Sequence, residues 1–445
     1  MKRILALGLF CAACACGSNR SVPVVDASTV TQSAGLRLET PVMADTFVES
    51  LGVNTHLTND LTADGKYAVI VHAVRELGIR HVRDGIFPVQ TAAQYADERR
   101  FFAATHATML AITDCPKPLG YFPGAQTPPK VVRTFDAAVG HPIDYLEGPN
   151  EPDLRHVKDW APLTKTCIAR DDAGKALAVP YVASAMGDPL DAPKLGSIAA
   201  LVDIGGIHRY FSGHNPGTTG FAFGGACGRW MGMAWSICEA RVNAGPAAPL
   251  FVTETGYTTV GKERSSSTGI GMVTVGKYIS RVLFIDSLAG IARTYLYELH
   301  DDGTDASNAQ DGYGLIEYDG TPKPSFYAVR SIVRALSDRG PAFTPSPLRY
   351  GVSGKATIDH ELFAKRDGEY VVAIWNEVPG WNPATKKTIV VPPSTVTLTF
   401  TTRPSRATFE VLDDGGMPSS AGATLRGNSI TIAVDDHLGF LRLRF

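Results

Sequence analysis

The stretch YLEGPNEPDL, residues 145–154, indicates how this chain folds, because a strand-like run stops there abruptly. Its first two residues have the apolar character of a buried strand, and a glycine and a proline follow within three positions. Proline cannot extend a β-ladder, so Pro149 and Pro152 end the strand and stiffen the backbone on both sides of Glu151. We therefore expect Glu151 to stand at the carboxyl end of a buried strand.

Strand-then-helix units repeat on both sides of this stretch. Apolar runs such as IRHVRDGIF, ATMLAITDC and LFVTETGY alternate with helix-length segments such as YAVIVHAVRELG, KLGSIAALV and PSFYAVRSIVRALSD, and eight such units can be traced. Parallel strands joined by short right-handed crossovers close most economically into a barrel. The pattern predicts a (β/α)8 TIM barrel over residues 47–338.

The pattern changes on either side of the barrel. From residue 339 to 445, runs such as GEYVVAIWNE, STVTLTFTT and SITIAVDDHLGFLRLRF alternate apolar and polar residues with a period of two, between turn residues. This alternation predicts a C-terminal antiparallel β-sandwich. Residues 17–46 are polar and rich in Ser, Thr and Val, which predicts a tether or a single edge strand.

The N-terminus, residues 1–16, has the proportions of a signal peptide. Lys2 and Arg3 precede the apolar run ILALGLFCAACA, which is short for a membrane span. The following small residues allow two interpretations: a cleavage site formed by Ala13 and Ala15, or a bacterial lipoprotein signal with the lipid on Cys16. Both predict export, to the periplasm, the outer membrane or the medium, with membrane attachment only through that lipid.

Four cysteines lie beyond the signal region: Cys115, Cys167, Cys227 and Cys238. Four cysteines allow three pairings, and export favours disulfides. The short spacing favours a local Cys227–Cys238 bridge, with Cys115–Cys167 as its complement. Free buried thiols are the alternative.

Charge and motifs exclude several classes of function. The chain has 42 basic and 44 acidic residues without a basic run, so we expect neither nucleic acid nor an anionic membrane surface as a partner. The motifs of P-loop, zinc-protease and serine-hydrolase sites are missing. The acidic stretch at 300–312 lacks EF-hand spacing, so a solvated loop is favoured over a metal site. We expect no cofactor, no metal and a monomer.

A second carboxylate falls where the barrel pattern would bring it close to Glu151. Glu254 follows the apolar run Leu250–Val252 in the predicted seventh strand. The carboxyl ends of barrel strands share one face, so the two glutamates could converge across the barrel mouth. Glycoside hydrolysis needs such a pair of carboxyl groups. The alternative for Glu151 alone is an ordinary loop carboxylate.

The motifs EGPNEPD and VTETGY resemble the strand-four and strand-seven motifs of clan A retaining glycoside hydrolases, most closely family 39 and its exopolysaccharide-degrading relatives. The likeness covers roughly residues 50–338. It implies Glu151 as acid/base, Glu254 as nucleophile and Asn150 as a contact to the sugar 2-hydroxyl. IHRYF is similar to the clan's strand-six His-x-Tyr, which implies that His208 and Tyr210 face the site.

Other candidates carry open alternatives. Arg83 in RHVRDG is a candidate hydrogen-bond donor to the nucleophile, or a salt-bridge partner of Asp84. His208 could instead be a hydrogen-bonded rim histidine. The remaining candidates could contact sugar or serve packing; they are Asn54 and His56 at the end of strand one, and Trp230 and Trp235 after strand six.

The clan's strand-eight Trp is replaced here. TYLYELHDD places Tyr297 at that position, with Glu298 after it, and both are predicted to bind substrate. Tyr can stack on a sugar with less area than Trp, which leaves the sugar identity open. The resemblance implies a retaining hydrolase of β-linked polysaccharides or oligosaccharides, with a bacterial exopolysaccharide as a candidate substrate. The alternative is a non-catalytic polysaccharide-binding surface lipoprotein on a barrel scaffold.

Overall fold

The structure is a computed structural model that describes residues 31–33, 35–61, 66–87, 90–120, 129–170, 177–219, 227, 232–260 and 269–445. Three short strands come first: β1 (Thr31–Ser33), β2 (Arg37–Glu39) and β3 (Val42–Met43). The barrel strands follow: β4 (Leu51–Asn54), β5 (His81–Gly85), β6 (Thr108–Ile112), β7 (Ile143–Glu147), β8 (Tyr181–Val182), β9 (Gly205–Tyr210), β10 (Leu250–Gly256) and β11 (Arg293–Leu296). The predicted signal peptide, Cys16 and Trp230 lie outside the described residues.

The eight barrel strands form one parallel sheet in the order β8-β7-β6-β5-β4-β11-β10-β9. Its two ends meet at a parallel bridge between Val182 and Ile204, where the Ala183 amide donates to the Ile204 carbonyl at 2.8 Å. The strands are buried almost throughout, as expected for a sheet covered by helices on one side and packed side chains on the other. The predicted TIM barrel is confirmed.

The helices connect the strands on the outside of the barrel: α1 (Ala44–Glu49), α2 (Leu57–Asp60), α3 (Tyr67–Leu77), α4 (Ala92–Thr105), α5 (Pro129–Val139), α6 (Trp160–Arg170), α7 (Ala192–Leu195), α8 (Met233–Ala244), α9 (Met272–Leu288) and α10 (Pro324–Leu336). Short 3₁₀ turns cover Pro152–Arg155, Pro189–Asp191 and Ala309–Gly312. The helix predicted for KLGSIAALV is wrong beyond its start, since α7 ends at Leu195. Gly196 adopts φ 64° there, and such left-handed backbone ends a helix.

The sandwich strands are β12 (Leu348–Lys355), β13 (Ile358–Ala364), β14 (Tyr370–Asn376), β15 (Trp381–Asn382), β16 (Lys387–Thr388), β17 (Ser394–Phe400), β18 (Arg406–Leu412), β19 (Pro418–Ala421), β20 (Ala423–Arg426), β21 (Ser429–Val434) and β22 (Gly439–Arg444). Two sheets pack together: β1-β12-β17-β21-β20, with β2 also on β12, and β19-β18-β22-β14-β13-β3. The pairing is antiparallel except between β3 and β13. The segment before the barrel therefore contributes strands to the sandwich.

Barrel and sandwich share one apolar core. Phe284 in α9 stacks on Phe47 with ring centroids 4.6 Å apart, and it also meets Trp375 at 5.7 Å and Phe440 at 6.3 Å. These side chains are almost completely buried, so separating the two units would expose large aromatic surfaces to water. The sandwich is thus a fixed support for the barrel.

Both expected disulfides are present. Cys115–Cys167 and Cys227–Cys238 have Cα–Cα distances of 5.8 Å and 5.7 Å. These covalent links are of a kind common in exported proteins. Among the described residues, none of the helices combines the length and apolar character that crossing a bilayer requires.

Candidate active site

The local backbone holds Glu151 at the mouth of the barrel. Strand β7 ends at Glu147, and Glu151 adopts left-handed backbone angles, φ 44° and ψ 58°. This conformation is uncommon for a residue with a side chain, and it concentrates at functional sites. Pro152 begins a 3₁₀ turn directly afterwards. Gly187 makes room mainly for Leu154 and also for this carboxyl group, since a Cβ there would come within 2.3 Å of the Leu154 Cδ1 and 3.1 Å of the Glu151 Cδ.

Glu254 comes from a fully buried strand. All seven residues of β10 are buried, and its register against β9 shifts between Val252 and Glu254. Such an irregularity re-aims side chains, as β-bulges near active sites do. After it, Glu254 lies opposite His208 in the neighbouring strand.

His208 lies between the two glutamates, and Tyr210 binds one of them. The His208 Nδ1 is 2.8 Å from Glu151 Oε1 and 3.5 Å from Glu254 Oε2. The Tyr210 hydroxyl donates to Glu254 Oε2 at 2.8 Å. One carboxylate oxygen of Glu151 and one of Glu254 lie within 4.8 Å of each other. The four side chains therefore form one group of hydrogen bonds and ion pairs at the barrel mouth.

Arg83 supports this group from below, with its side chain only 1% exposed. Its Nη1 donates to Glu254 Oε1 at 2.8 Å and to Asn54 Oδ1 at 2.7 Å, and its Nη2 donates to Asn150 Oδ1 at 2.7 Å. Asp84 instead accepts hydrogen bonds from the Leu57 amide and the Thr55 hydroxyl. One guanidinium thus links strands one, two and seven and the loop after strand four.

Glu147 is a member of the site that the sequence reasoning missed. Its carboxylate is completely buried and binds Arg83 through two bonds, from Nε at 2.6 Å and from Nη2 at 3.0 Å. This bidentate geometry fixes the guanidinium plane. The available signal was a carboxylate at the last position of the fourth strand, four positions before Glu151.

The charges of the site favour an ionised Glu254. Burial alone would raise the pKa of Glu254, but His208, Arg83 and the Tyr210 hydrogen bond together lower it below its ordinary 4.5. Burial likewise opposes a charged His208, yet Glu254 and Glu151 raise its pKa above 6.5. Burial and the Glu254 charge raise the pKa of Tyr210 far above 10, so its hydroxyl remains a donor.

We expect Glu147→Gln to lower the free energy of unfolding by about 3 kcal/mol, because it leaves a buried guanidinium partly unpaired. Glu361→Gln is a matched control: that carboxylate is also buried, but among the described residues it is hydrogen-bonded to the Ser287 hydroxyl rather than to a cation. Urea unfolding of both variants measures the difference. Equal stability of Glu147→Gln and wild type would contradict this role.

Tyr297 lies beside the glutamate pair. Its ring is half-buried and meets Tyr210 edge-on at 6.4 Å and His56 at 6.1 Å. Its hydroxyl donates to Gln310 Oε1 at 3.2 Å, and the following peptide bond to Glu298 is cis. Tyr297 therefore stands between the glutamates and a second polar group.

That second polar group consists of His56, Glu298 and Asp302. The His56 Nδ1 is 3.2 Å from an oxygen of each carboxylate. Burial raises the pKa of Glu298 well above its ordinary value. Burial opposes a charged His56, but the hydrogen bond to Asp302 and the Glu298 charge raise its pKa. Protons shared among these groups can serve as hydrogen-bond donors to hydroxyls. The sequence indicated the first two residues, and Asp302 is added by the structure.

Two other features that the sequence suggested, Trp235 and the acidic stretch at 300–312, have structural roles. Trp235 belongs to the buried face of α8 and is 4% exposed. In the acidic 300–312 stretch, Asp301 binds Lys323 at 2.7 Å, and Asp311 accepts the Asp305 amide. Among the described residues, three side-chain sets bring possible metal ligands within 4.8 Å: the glutamate–His208 set, the His56 set, and Asp435, Asp436 and His437. Hydrogen bonds within each set account for their spacing.

Solved structures share this architecture. A monomeric β-xylosidase from Caulobacter crescentus CB15 aligns with a TM-score of 0.59 and 15% identity, over 92% of this chain and 98% of that chain. A family 39 glycoside hydrolase from Bacteroides cellulosilyticus WH2 aligns with a TM-score of 0.56 and 15% identity, over 91% of this chain and 82% of that chain. The GH39 enzyme from Xanthomonas axonopodis pv. citri aligns with a TM-score of 0.56 and 14% identity, over 92% of this chain and 95% of that chain.

No family model matches the sequence, and no curated protein matches it either. At 14–15% identity, the structural similarity establishes a shared fold. The expected likeness to family 39 is therefore confirmed for the architecture of the chain.

Proposed function

We propose that this protein is a retaining glycoside hydrolase that cleaves β-linked bonds in a polysaccharide or oligosaccharide. The observation that carries the proposal is the glutamate pair at the carboxyl ends of strands four and seven, with oxygens within 4.8 Å of each other. Family 39 structures with the same fold support it. A panel of aryl β-glycosides and bacterial exopolysaccharides tests it, and failure on the whole panel would count against hydrolysis.

The spacing of the carboxyl groups favours retention over inversion. Retaining enzymes hold them about 5–5.5 Å apart, whereas inverting enzymes leave about 6.5–9.5 Å for a water molecule. Here a carboxylate oxygen of Glu151 and one of Glu254 lie within 4.8 Å of each other, which is closer than the spacing of inverting enzymes. Product analysis by NMR should therefore show the same anomer as the substrate.

The reaction follows from the environments of the two groups. Glu254, whose pKa is lowered, attacks the anomeric carbon as the glycosidic C–O bond breaks. Glu151 gives its proton to the departing oxygen, and a glycosyl ester to Glu254 results. Glu151 then takes a proton from water as that water attacks the anomeric carbon and releases Glu254. Two substitutions give a retained product.

The surrounding residues position the pair. Arg83 and Tyr210 each hold one oxygen of Glu254, so the carboxylate has a fixed orientation. His208 bonds to Glu151 and lies near Glu254, which orients the acid toward the nucleophile. Asn150 is held by Arg83, and its amide nitrogen can reach a sugar hydroxyl. We assign substrate binding to Asn150, Tyr297, His56 and Glu298.

A non-catalytic polysaccharide-binding lipoprotein is the rival function. A binding barrel has no need for two buried glutamates joined through one histidine, or for a guanidinium that fixes one of them. Export, as a secreted protein or through a lipid on Cys16, is part of the proposal, and the two disulfides support it. Labelling with a radioactive fatty acid distinguishes these two forms of export, because a lipid on Cys16 would label the wild type but not Cys16→Ala.

We expect Tyr297→Ala to lower kcat/KM by about tenfold, because an aromatic contact with a sugar is worth roughly 1 kcal/mol beyond its area. Tyr297→Phe retains the ring and should stay within about threefold of wild type on the same argument. Steady-state kinetics and melting temperatures of both variants decide the matter. A lower melting temperature with unchanged kinetics would show that Tyr297 only packs.

A further inference from the structure

One carboxylate of the sandwich reaches into the barrel mouth. Glu377 directly follows β14, and its side chain is 8% exposed. Its Oε1 accepts hydrogen bonds from Asn215 Nδ2 at 2.6 Å and from the Gly217 amide at 2.9 Å. Both donors lie in the loop after barrel strand β9, so a sandwich residue fixes a loop of the catalytic face.

Residues of both the barrel and the sandwich fix the carboxylate of Glu377. Its Oε2 accepts from Trp375 Nε1 at 3.0 Å and lies 3.5 Å from Arg281 Nη1. The same Nη1 donates to the carbonyls of Asn376 and Val378, on either side of Glu377, at 3.0 Å each. Hydrogen bonds to an ionised acceptor in a buried place are strong and direction-specific. The carboxylate is therefore a fixed anchor.

The anchored loop continues directly from the catalytic group. Residues 211–219 follow Tyr210, which bonds to Glu254, and His208 precedes it by two positions. Phe211 stacks on Tyr257 at 5.0 Å, and the Tyr257 hydroxyl donates to the His214 carbonyl. Tyr257 itself lies three residues after Glu254. The loop thus contacts the end of strand seven, which carries Glu254, and follows strand six, which carries His208 and Tyr210.

The fit between loop and carboxylate is close. A Cβ at Gly217 would come within 2.4 Å of the Glu377 Cγ, so only glycine allows this approach. Asn215 is 5% exposed, and its Oδ1 accepts from the Thr218 hydroxyl at 2.6 Å, which fixes the orientation of its amide. The loop is shaped to receive this one side chain.

We propose that Glu377 is a positioning residue through which the β-sandwich holds the strand-six loop, and with it His208 and Tyr210, against the two glutamates. This role rests on the proposed function. Loss of the anchor would loosen Tyr210 on Glu254, and displacement of a reacting group by about 1 Å can cost on the order of 10²-fold in rate.

The test compares Glu377→Ala with Glu361→Ala. The control removes a buried glutamate that also joins sandwich and barrel, through Ser287 in α9, away from the loop. Hydrogen exchange by mass spectrometry should show faster exchange in peptides from 205–219 for Glu377→Ala alone. Unchanged exchange there, or an equal increase in both variants, would overturn the anchor.

Kinetics then test the positioning role. Glu377→Ala should lower kcat by roughly tenfold or more with KM within about twofold, while Glu361→Ala keeps the wild-type kcat. The acid limb of kcat/KM should move to higher pH, because a weaker Tyr210 hydrogen bond stabilises ionised Glu254 less. If Glu377→Ala shows faster hydrogen exchange but keeps the wild-type kcat and the wild-type acid limb of kcat/KM, the positioning role is overturned. If wild type hydrolyses nothing, the proposed function fails, while the exchange experiment still decides the anchor.

Discussion

Glu254→Gln should lower kcat on an aryl β-glycoside by roughly four orders of magnitude or more, as expected when a nucleophile is removed. Glutamine has almost the same shape, so its amide oxygen can still accept from Arg83 while its amide nitrogen faces the Tyr210 hydroxyl, but an amide cannot displace the leaving group. Steady-state assays with an enzyme concentration high enough to detect 10⁻⁵ of the wild-type rate measure the effect.

Stability must be followed in the same variant, because Arg83 loses an ionised partner. Glu147 still pairs with Arg83 through two bonds, so we expect Glu254→Gln to remain folded, with an unchanged far-UV spectrum. A folded Glu254→Gln that retains more than about a hundredth of the wild-type rate would exclude Glu254 as nucleophile.

Glu151→Ala should separate the two half-reactions. With a good leaving group the first step needs little protonation, so the glycosyl ester forms, but its hydrolysis lacks a base. The steady-state rate should fall by about 10²–10⁴-fold. Azide, which needs no base, should restore turnover and give a glycosyl azide of retained configuration.

Glu151→Gln is the matched control for that experiment, since its side chain fills the space that azide would occupy. It should show the same slow hydrolysis with much weaker rescue. If azide instead rescues Glu254→Ala with a retained product and leaves Glu151→Ala inert, the two roles are reversed. An inverted azide from Glu254→Ala agrees with the assignment.

The barrel was predictable because its signal is periodic and repeated. Eight alternations of strand and helix leave few topologies, and the one wrong helix has a local cause. The fifth unit is reduced to a two-residue strand and α7, where prolines and Gly196 interrupt the helix that composition favours. The strands before the barrel join the sandwich through pairings such as β3 with β13, which are more than 300 residues apart in sequence and leave no local pattern.

The site residues that belong to sequence motifs could be predicted. Those whose role depends on partners distant in the sequence could not. Glu151 and Glu254 are visible because each follows a strand-like run in the sequence. Glu147 was missed because its partner Arg83 is 64 residues away, and only the structure shows the bidentate pair. Asp302 lies in a stretch that reads as a solvated loop, and Glu377 is the last residue of a run that reads as a sandwich strand. Their roles depend on which loops meet at the barrel mouth.

The most direct test of a double displacement is to trap its intermediate. A 2-deoxy-2-fluoro glycoside with a good leaving group slows both steps, so the glycosyl-enzyme accumulates when the sugar matches the subsite. After the aryl glycoside panel has identified that sugar, peptide mass spectrometry locates the added mass. The account predicts one fluoroglycosyl group, attached to Glu254 and absent from Glu254→Gln. A label on another residue, or steady turnover of the unmodified substrate to an inverted sugar with no label at all, would contradict it.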